Sequence, residues 1–252
     1  MSLGIAFEGC AGRSAFSAGV AMQLRDMSVM PGLISGASSG AIVAAFAAAR
    51  KTEYLEDAWL SAAGRPVFQP QAMLELKWPF RMSEMLRGAL REVFGSQRLD
   101  ELPQPVAMPV TLVGISGRVK RVLTRSDPIP VVDAVLASCF IPGPYSEVVR
   151  IDHRVAFDGA WQARIPLDDV RALGARQIIA VSGHPRDTLA RGYPFVHHSP
   201  LPGHCRIIRP GSALALGGYD TDAGRIRDAM QAGRQAAEAF VEGQRGWLDQ
   251  GP

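Results

Sequence analysis

The stretch Gly32 to Phe46, "GLISGASSGAIVAAF", sets a serine between glycines where an apolar run of strand character gives way to one of helical character. Within it Gly36-Ala37-Ser38-Ser39-Gly40 has the spacing G-x-S-x-G, in which a sharp strand-to-helix turn pushes the serine Oγ out of the backbone. Alone, the pattern reads equally well as a tight turn of small residues, because the chain is rich in Gly, Ala and Ser. The surrounding sequence has to decide between a nucleophile and a plain turn.

Upstream, Leu3 to Phe7 is a short apolar run that ends in Glu8-Gly9-Cys10-Ala11-Gly12. After it Ala15, Phe16, Gly19, Val20 and Leu24 recur at helical spacing. That is strand, glycine loop and helix. The quoted stretch repeats the order, with Leu33-Ile34 as the strand and Ala41 to Ala49 as the helix, closed by Arg50-Lys51 where a helix C-terminus favours cations. Two strand-turn-helix units in succession predict an α/β fold, a mostly parallel sheet flanked by helices.

Downstream, residues 52–95 read as mostly helical, interrupted at Pro66, Pro70 and Pro79. They are expected either to cap the site as a lid or to cover the sheet as ordinary packing helices. Val110 to Ser116 and Val119 to Thr124 read as strands turning at Gly117, and Val131 to Cys139 as a helix stopped by Pro142-Gly143-Pro144. A hairpin of Val148 to Ile151 and Val155 to Phe157 delivers Asp158-Gly159-Ala160 at its end. A helix over Leu167 to Leu173, a buried strand over Gln177 to Val181, a last strand at Arg206 to Ile208 and an amphipathic helix from Thr221 to Trp247 complete the reading. Residues 183–203 read as turns.

At 252 residues, 47% apolar and 20% charged without a long like-charge block, the chain is expected to form one folded domain over 1–252. The net charge of +3 suits an anionic surface such as phospholipid headgroups, so peripheral membrane contact fits. Nucleic acid is not expected as a partner, since the densest basic stretch, Arg118 to Arg125, partly alternates with apolar residues as a solvated strand face does. Three cysteines, Cys10, Cys139 and Cys205, without CxxC spacing predict free thiols in a reducing, cytoplasmic setting. The N-terminus lacks a basic leader pattern, and no apolar run is long enough to span a bilayer.

A serine needs a base for its proton, and acyl transfer needs donors for the oxyanion. The loop Gly9 to Gly12 ahead of a helix is a suitable donor site, with Arg13 adding a cation. It lacks the G-x-G-x-x-G spacing of a dinucleotide fingerprint, and no cofactor is expected. His197, His198, His204 and Cys205 have no recognised ligand spacing, so no metal site is expected there and a solvent-exposed loop is the better reading.

Four segments in order, "EGCAGRSAFSAGV", "GASSGAIVAAF", "VVDAVLASCFIPG" and "FDGAWQARIPLDDVRALGA", resemble consecutive signatures of the patatin-like phospholipase family. They resemble its glycine-rich oxyanion segment, its nucleophile turn, its A-S-x-x-I-P-G segment and its D-G-G or D-G-A motif. The resemblance implies a three-layer α/β fold and a Ser-Asp dyad without histidine. Ser38 corresponds to the nucleophile and Asp158 to the base, with Gly9, Cys10, Ala11, Gly12 and Arg13 at the oxyanion hole. Gly36, Gly40, Gly159 and Ala160 support the two motifs. Implied substrates are phospholipids, lysophospholipids and other acyl esters.

The sequence departs from the family pattern in places. Cys10 and Ala11 stand where glycines are usual, Ser14 replaces a glycine, Ser39 replaces an alanine, and Ala163-Arg164 occupies the place of a common asparagine. Cys and Ala side by side imply a loop settled at negative φ. Two other readings stay open: an α/β-hydrolase triad drawing on a late histidine, and a weakly catalytic protein that binds lipid or acyl groups.

Overall fold

The computed structural model describes residues 2–114, 117–185, 189–191, 197–199 and 201–249. In chain order they form β1 (Leu3–Phe7), α1 (Ser14–Asp26), β2 (Leu33–Gly36), α2 (Ser39–Ala48), α3 (Leu55–Leu60), α4 (Gln71–Leu74) and α5 (Met82–Phe94). Then come β3 (Val106–Gly114), β4 (Gly117–Thr124), α6 (Val131–Cys139), β5 (Arg150–Ile151), β6 (Arg154–Phe157), α7 (Leu167–Ala172) and β7 (Gln177–Val181). A short pair, β8 (Leu189–Arg191) and β9 (His197–Ser199), precedes β10 (Cys205–Ile208), α8 (Ala223–Gly243) and α9 (Arg245–Asp249).

Five strands run parallel in the order β10-β7-β1-β2-β3, and β4 and β6 run antiparallel to β3. The chain leaves β1 on one side for β2 and β3, then returns to the other side for β7. The carboxyl end of β1, where Glu8 to Arg13 begins, is therefore the topological switch point at which α/β sheets open a crevice.

Alternation along the central strands makes two cores. Ile5, Phe7, Ile179 and Val181 face one side, with α1, α2, α6 and α8, while Ala6, Ile178 and Ala180 face the other, with Val170 of α7. The result is three layers. Helix α2 packs against the sheet, α1 and α6 at once, which its run of small side chains permits. Helices α1 and α8 cross at two glycines, where a Cβ on Gly19 would meet the Met230 carbonyl at 1.9 Å and one on Gly233 the Phe16 carbonyl at 2.1 Å.

β3 organises the site. β4 pairs with one edge along its length, whereas the other edge is shared: β2 holds Val106 and Ala107, and β6 holds Thr111 and Leu112. Since β2 and β6 run in opposite directions, their carboxyl ends converge on the same few residues of β3. The turn after β2 carries Ser38 and the turn after β6 carries Asp158.

Three expectations change. Residues 61–70 and 75–81 lie outside helices, because Pro70 starts α4 and Pro79 sits in an extended arm where Phe68 bridges Phe80. The closing helix ends at Gly243, and Gln244, at φ −120°, separates it from α9. Within 183–203 the described residues include the β8–β9 pair as well as turns.

Candidate active site

Ser38 sits at the entry to α2 with φ 53° and ψ −131°, a conformation that L residues rarely adopt. The glycines around it are dictated by close approach. A Cβ on Gly36 would meet the Gly40 carbonyl at 2.2 Å, and one on Gly40 would meet the Phe7 carbonyl of β1 at 2.4 Å. The turn is thus pinned between its own helix and the central strand, and Ser38 is pushed out to 9% exposure.

Its Oγ donates to Asp158 Oδ2 at 2.6 Å. Asp158 is 2% exposed, and its second oxygen, Oδ1, accepts the Ala160 N–H at 2.7 Å. The carboxylate's backbone is fixed from both sides, its N–H by the Phe140 carbonyl at 2.9 Å and its carbonyl by the Thr111 hydroxyl at 2.8 Å. Gly159 lets this turn lie flat on β3, since a Cβ there would meet the Pro109 carbonyl at 2.0 Å. Burial pushes the Asp158 carboxyl up to about 6, and the bonds from Ser38 and the Ala160 N–H pull it part of the way back. It remains mostly ionised at neutral pH while being a better base than an exposed carboxylate.

Ser138, inside the third quoted segment, is a link that the motifs alone did not assign. Its hydroxyl accepts the Ser38 N–H at 3.0 Å and donates to the Pro109 carbonyl at 2.8 Å, tying the turn to β3. Beside it Cys139 is buried, and burial followed by the charge of Asp158 drives its thiol well up.

The loop after β1 wraps over this pair. A Cβ on Gly9 would meet the Ala37 carbonyl, Ser38 and Ala160 within 3.0 Å, so only glycine lets the three turns meet. The Gly9 N–H donates to the Arg164 carbonyl at 2.8 Å, the Cys10 N–H to Ser39 Oγ at 3.2 Å, and the Gly12 N–H to the Gly218 carbonyl at 2.7 Å. Among the described residues no acceptor takes the N–H of Ala11 or of Ser39. Arg13 is half-buried and its Nε has no partner among the described residues.

Ala11 stands at φ 53° and Cys10 at φ −140°. The expectation of negative φ through both positions holds for Cys10 and fails for Ala11. The reason lies on either side, where the bonds of Cys10 and Gly12 fix the loop and leave Ala11 to make the reversal. Burial, then the charge of Glu8, pushes the Cys10 thiol up to about 12, which keeps it neutral and unreactive.

Behind the loop, Glu8 is fully buried. Its Oε2 accepts from the Ser182 hydroxyl at 2.7 Å and the Gly183 N–H at 2.8 Å. Arg164 Nη2 lies 2.8 Å from Oε1, an ionic contact off the hydrogen-bond axis, and 2.7 Å from His184 Nε2. Arg164 therefore supports the glycine loop through its carbonyl and through Glu8. No local motif announces this, because the partners are far apart in sequence. His184 stands beside Glu8 and Arg164, while both oxygens of Asp158 are taken by Ser38 and Ala160. Cys205 is buried in β10, and the side chains of His197 and His198 lie outside the described residues.

Ser38, Ser39, Ala11 and Gly12 open onto an apolar cleft of about 940 Å³, counted to its open mouth, walled by Ile42, Trp59, Met85, Leu86, Ile141 and Tyr145. Sequence comparison matches residues 5–171 to the model of the patatin-like phospholipase family, which is two thirds of the chain. The chain belongs to this family. No curated protein matches it in sequence. Among solved structures, VipD from Legionella pneumophila superposes with a TM-score of 0.56 at 10% identity, over 96% of this chain and 67% of that one. The type III effector ExoU gives 0.49 at 12% identity, over 96% and 53%. At such identities the likeness to VipD is one of fold, and it agrees with the three layers described above. No helix of the described residues is long and apolar enough to cross a membrane.

Proposed function

We propose that this patatin-like phospholipase is a lipid acyl hydrolase working through a Ser38–Asp158 dyad. The observation that carries the reading is the 2.6 Å bond from Ser38 Oγ, on the wall of an apolar cleft, to a buried carboxylate behind it. Asp158 Oδ2 takes the hydroxyl proton as Oγ attacks the ester carbonyl. The negative charge on the carbonyl oxygen is met by the N–H groups of Ala11 and Ser39, with the N-terminus of α2 adding positive potential. The tetrahedral intermediate expels the alcohol, which takes the proton from Asp158, leaving an acyl ester on Ser38. Water then repeats the sequence with Asp158 as base, releasing a free fatty acid and restoring the serine.

The apolar walls suit an acyl chain, which supports phospholipid, lysophospholipid or a simpler acyl ester as substrate. The reading needs no cofactor or metal. The experiment is labelling with a fluorophosphonate lipid analogue followed by intact-mass and peptide analysis. One adduct on Ser38, absent from Ser38→Ala, is expected. Labelling of Cys10, or loss of activity in His184→Ala with the fold preserved, would move the chemistry away from the dyad. Binding of lipid without labelling or turnover would favour the acyl-binding reading.

A further inference from the structure

Residues 65–81 form an arm between α3 and α5. The Arg81 N–H donates to the Val67 carbonyl at 3.0 Å and the Gln69 N–H to the Pro79 carbonyl at 2.8 Å, which pairs the two sides of the arm. The rings of Phe68 and Phe80, with centroids 5.0 Å apart, pack between them. At the end of the arm the apolar pattern inverts. Leu74 is 88% and Leu76 98% exposed, and Met73 and Trp78 are more than half exposed.

Four large, exposed apolar side chains within residues 73–78 of one arm call for a partner, since exposed apolar surface clustered in one segment marks an interaction site. Three features of the arm identify the partner as lipid. First, its base is continuous with the cleft: Val67 and Met82 line the same walls that lead to Ser38. Second, its polar rim does not repel phosphate. Arg65, Lys77 and Arg81 stand against Glu75 within 65–81, with Glu75 bound to Lys77 at 2.7 Å and Arg81 paired to Glu84 beyond it. Third, the one polar atom of Trp78 is already satisfied, its Nε1–H donating to the Gly143 carbonyl at 2.9 Å. The indole thus enters an apolar layer without an unbonded donor. A folded protein partner requires a broad complementary surface of about 800 Å² per side, whereas insertion of apolar side chains at the headgroup boundary of a bilayer requires no complementary shape.

We propose that Met73, Leu74, Leu76 and Trp78 seat this protein on a phospholipid bilayer, with the mouth of the Ser38 cleft turned toward the lipid. The orientation gives an acyl chain a path from membrane to cleft, and this part rests on the acyl-hydrolase reading. The seating itself does not.

The test is flotation with large unilamellar vesicles of phosphatidylcholine and phosphatidylglycerol, comparing the native chain with Leu74→Asp/Leu76→Asp. Both leucines are nearly free of packing, so the variant should fold, with thermal unfolding as the control. The native chain is expected to float with the vesicles and the variant's partitioning to fall at least tenfold. Hydrolysis of vesicle phospholipid should fall in proportion, while hydrolysis of dissolved p-nitrophenyl butyrate stays within twofold. Equal flotation of the two chains overturns the proposal, as does a native chain that ignores vesicles and instead self-associates through the arm in sedimentation. Flotation lost in the variant while neither chain cleaves any ester would uphold the seating and remove the dyad reading.

Discussion

The hydroxyls of Ser14 and Ser39 lie 2.7 Å apart, joining the first turn of α1 to the first turn of α2 directly beside Ser38. Ser39 Oγ also accepts the Cys10 N–H, and Ser14 Oγ reaches the Glu8 carbonyl at 3.3 Å and the Cys10 sulfur at 3.2 Å. Three departures from the family pattern, at positions 10, 14 and 39, are therefore one connected network. Each serine is buried, so removing one leaves its partner short of a bond. Ser14→Ala and Ser39→Ala should each lower stability by about 1–2 kcal/mol. In the double variant the loss should fall short of the sum by roughly 1 kcal/mol. Urea unfolding of the four proteins measures this, and strict additivity would mean that the two hydroxyls act independently. Ser39→Ala should also reduce kcat more than Ser14→Ala, because it releases the Cys10 N–H.

The strained turn at Ser38 makes a second prediction. Serine and alanine both suffer at φ 53°, ψ −131°, and glycine does not. Ser38→Ala and Ser38→Gly remove the same bond to Asp158, so their difference isolates the backbone. Both should be inactive, and Ser38→Gly should be the more stable by about 1 kcal/mol in spite of its more flexible unfolded chain. Equal stability in thermal unfolding would show that the turn stores no strain worth relieving.

The parts of the site that announce themselves in sequence are those dictated by backbone approach. Gly36, Gly40, Gly9 and Gly159 each occupy a place where a Cβ would strike another turn or strand, and such positions leave short motifs. The strands β1, β2 and β7 and the helices α1, α2 and α6 were legible for a related reason, being mostly apolar, buried segments, read in α1 from apolar residues at helical spacing, and bounded by glycine, proline or charge. Side-chain links between distant segments left no comparable trace. Ser138 reads as one more small residue of a buried helix, and Arg164 as a misplaced asparagine, until β3 brings their partners alongside. The sign of φ at Ala11 was illegible because it depends on Ser39 and Gly218, and Gly218 lies outside the residues matched to the family.

Asp158 links activity and stability to pH in opposite directions. As the base of the proposed dyad it has to be ionised, so on that reading kcat/KM for a short ester should rise with an apparent pKa of about 6. Its folded value is raised above the ordinary 3.8, so the folded state binds the proton more tightly than the unfolded chain does. This contribution to stability is complete below about pH 4, shrinks as pH climbs toward 6, and has vanished above that, a swing of about 3 kcal/mol at most. Asp158→Asn abolishes the swing. The variant should be inactive, and its stability relative to the native protein should be higher at pH 8 than at pH 4. Denaturant unfolding at the two pH values tests the sign, and a difference independent of pH would remove burial as the cause.

The glycine loop carries the last prediction, which turns on the two conformations at positions 10 and 11. Cys10 at φ −140° gains nothing from glycine and would lose a buried side chain packed against Ser14, so Cys10→Gly should lower stability by about 1–2 kcal/mol. Ala11 at φ 53° is in the region where glycine is at ease, so Ala11→Gly should raise stability by roughly 0.5–1 kcal/mol. The double variant then lies near the native protein, its two effects opposing each other. Turnover of a short-chain ester should survive Ala11→Gly within about threefold, because the bonds of Cys10 to Ser39 and of Gly12 to Gly218 hold the loop on both sides. Ala11→Val is the sharper probe. A β-branched residue resists positive φ, so the loop must shift, and a displaced oxyanion donor should slow turnover by about tenfold or more. The expected order of kcat is native and Ala11→Gly together, then Ala11→Val well below, with KM for the short ester little changed. If Ala11→Val turns over as fast as the native enzyme, the Ala11 N–H is not the group that meets the oxyanion, and the donor must be sought at Ser39 and Arg13.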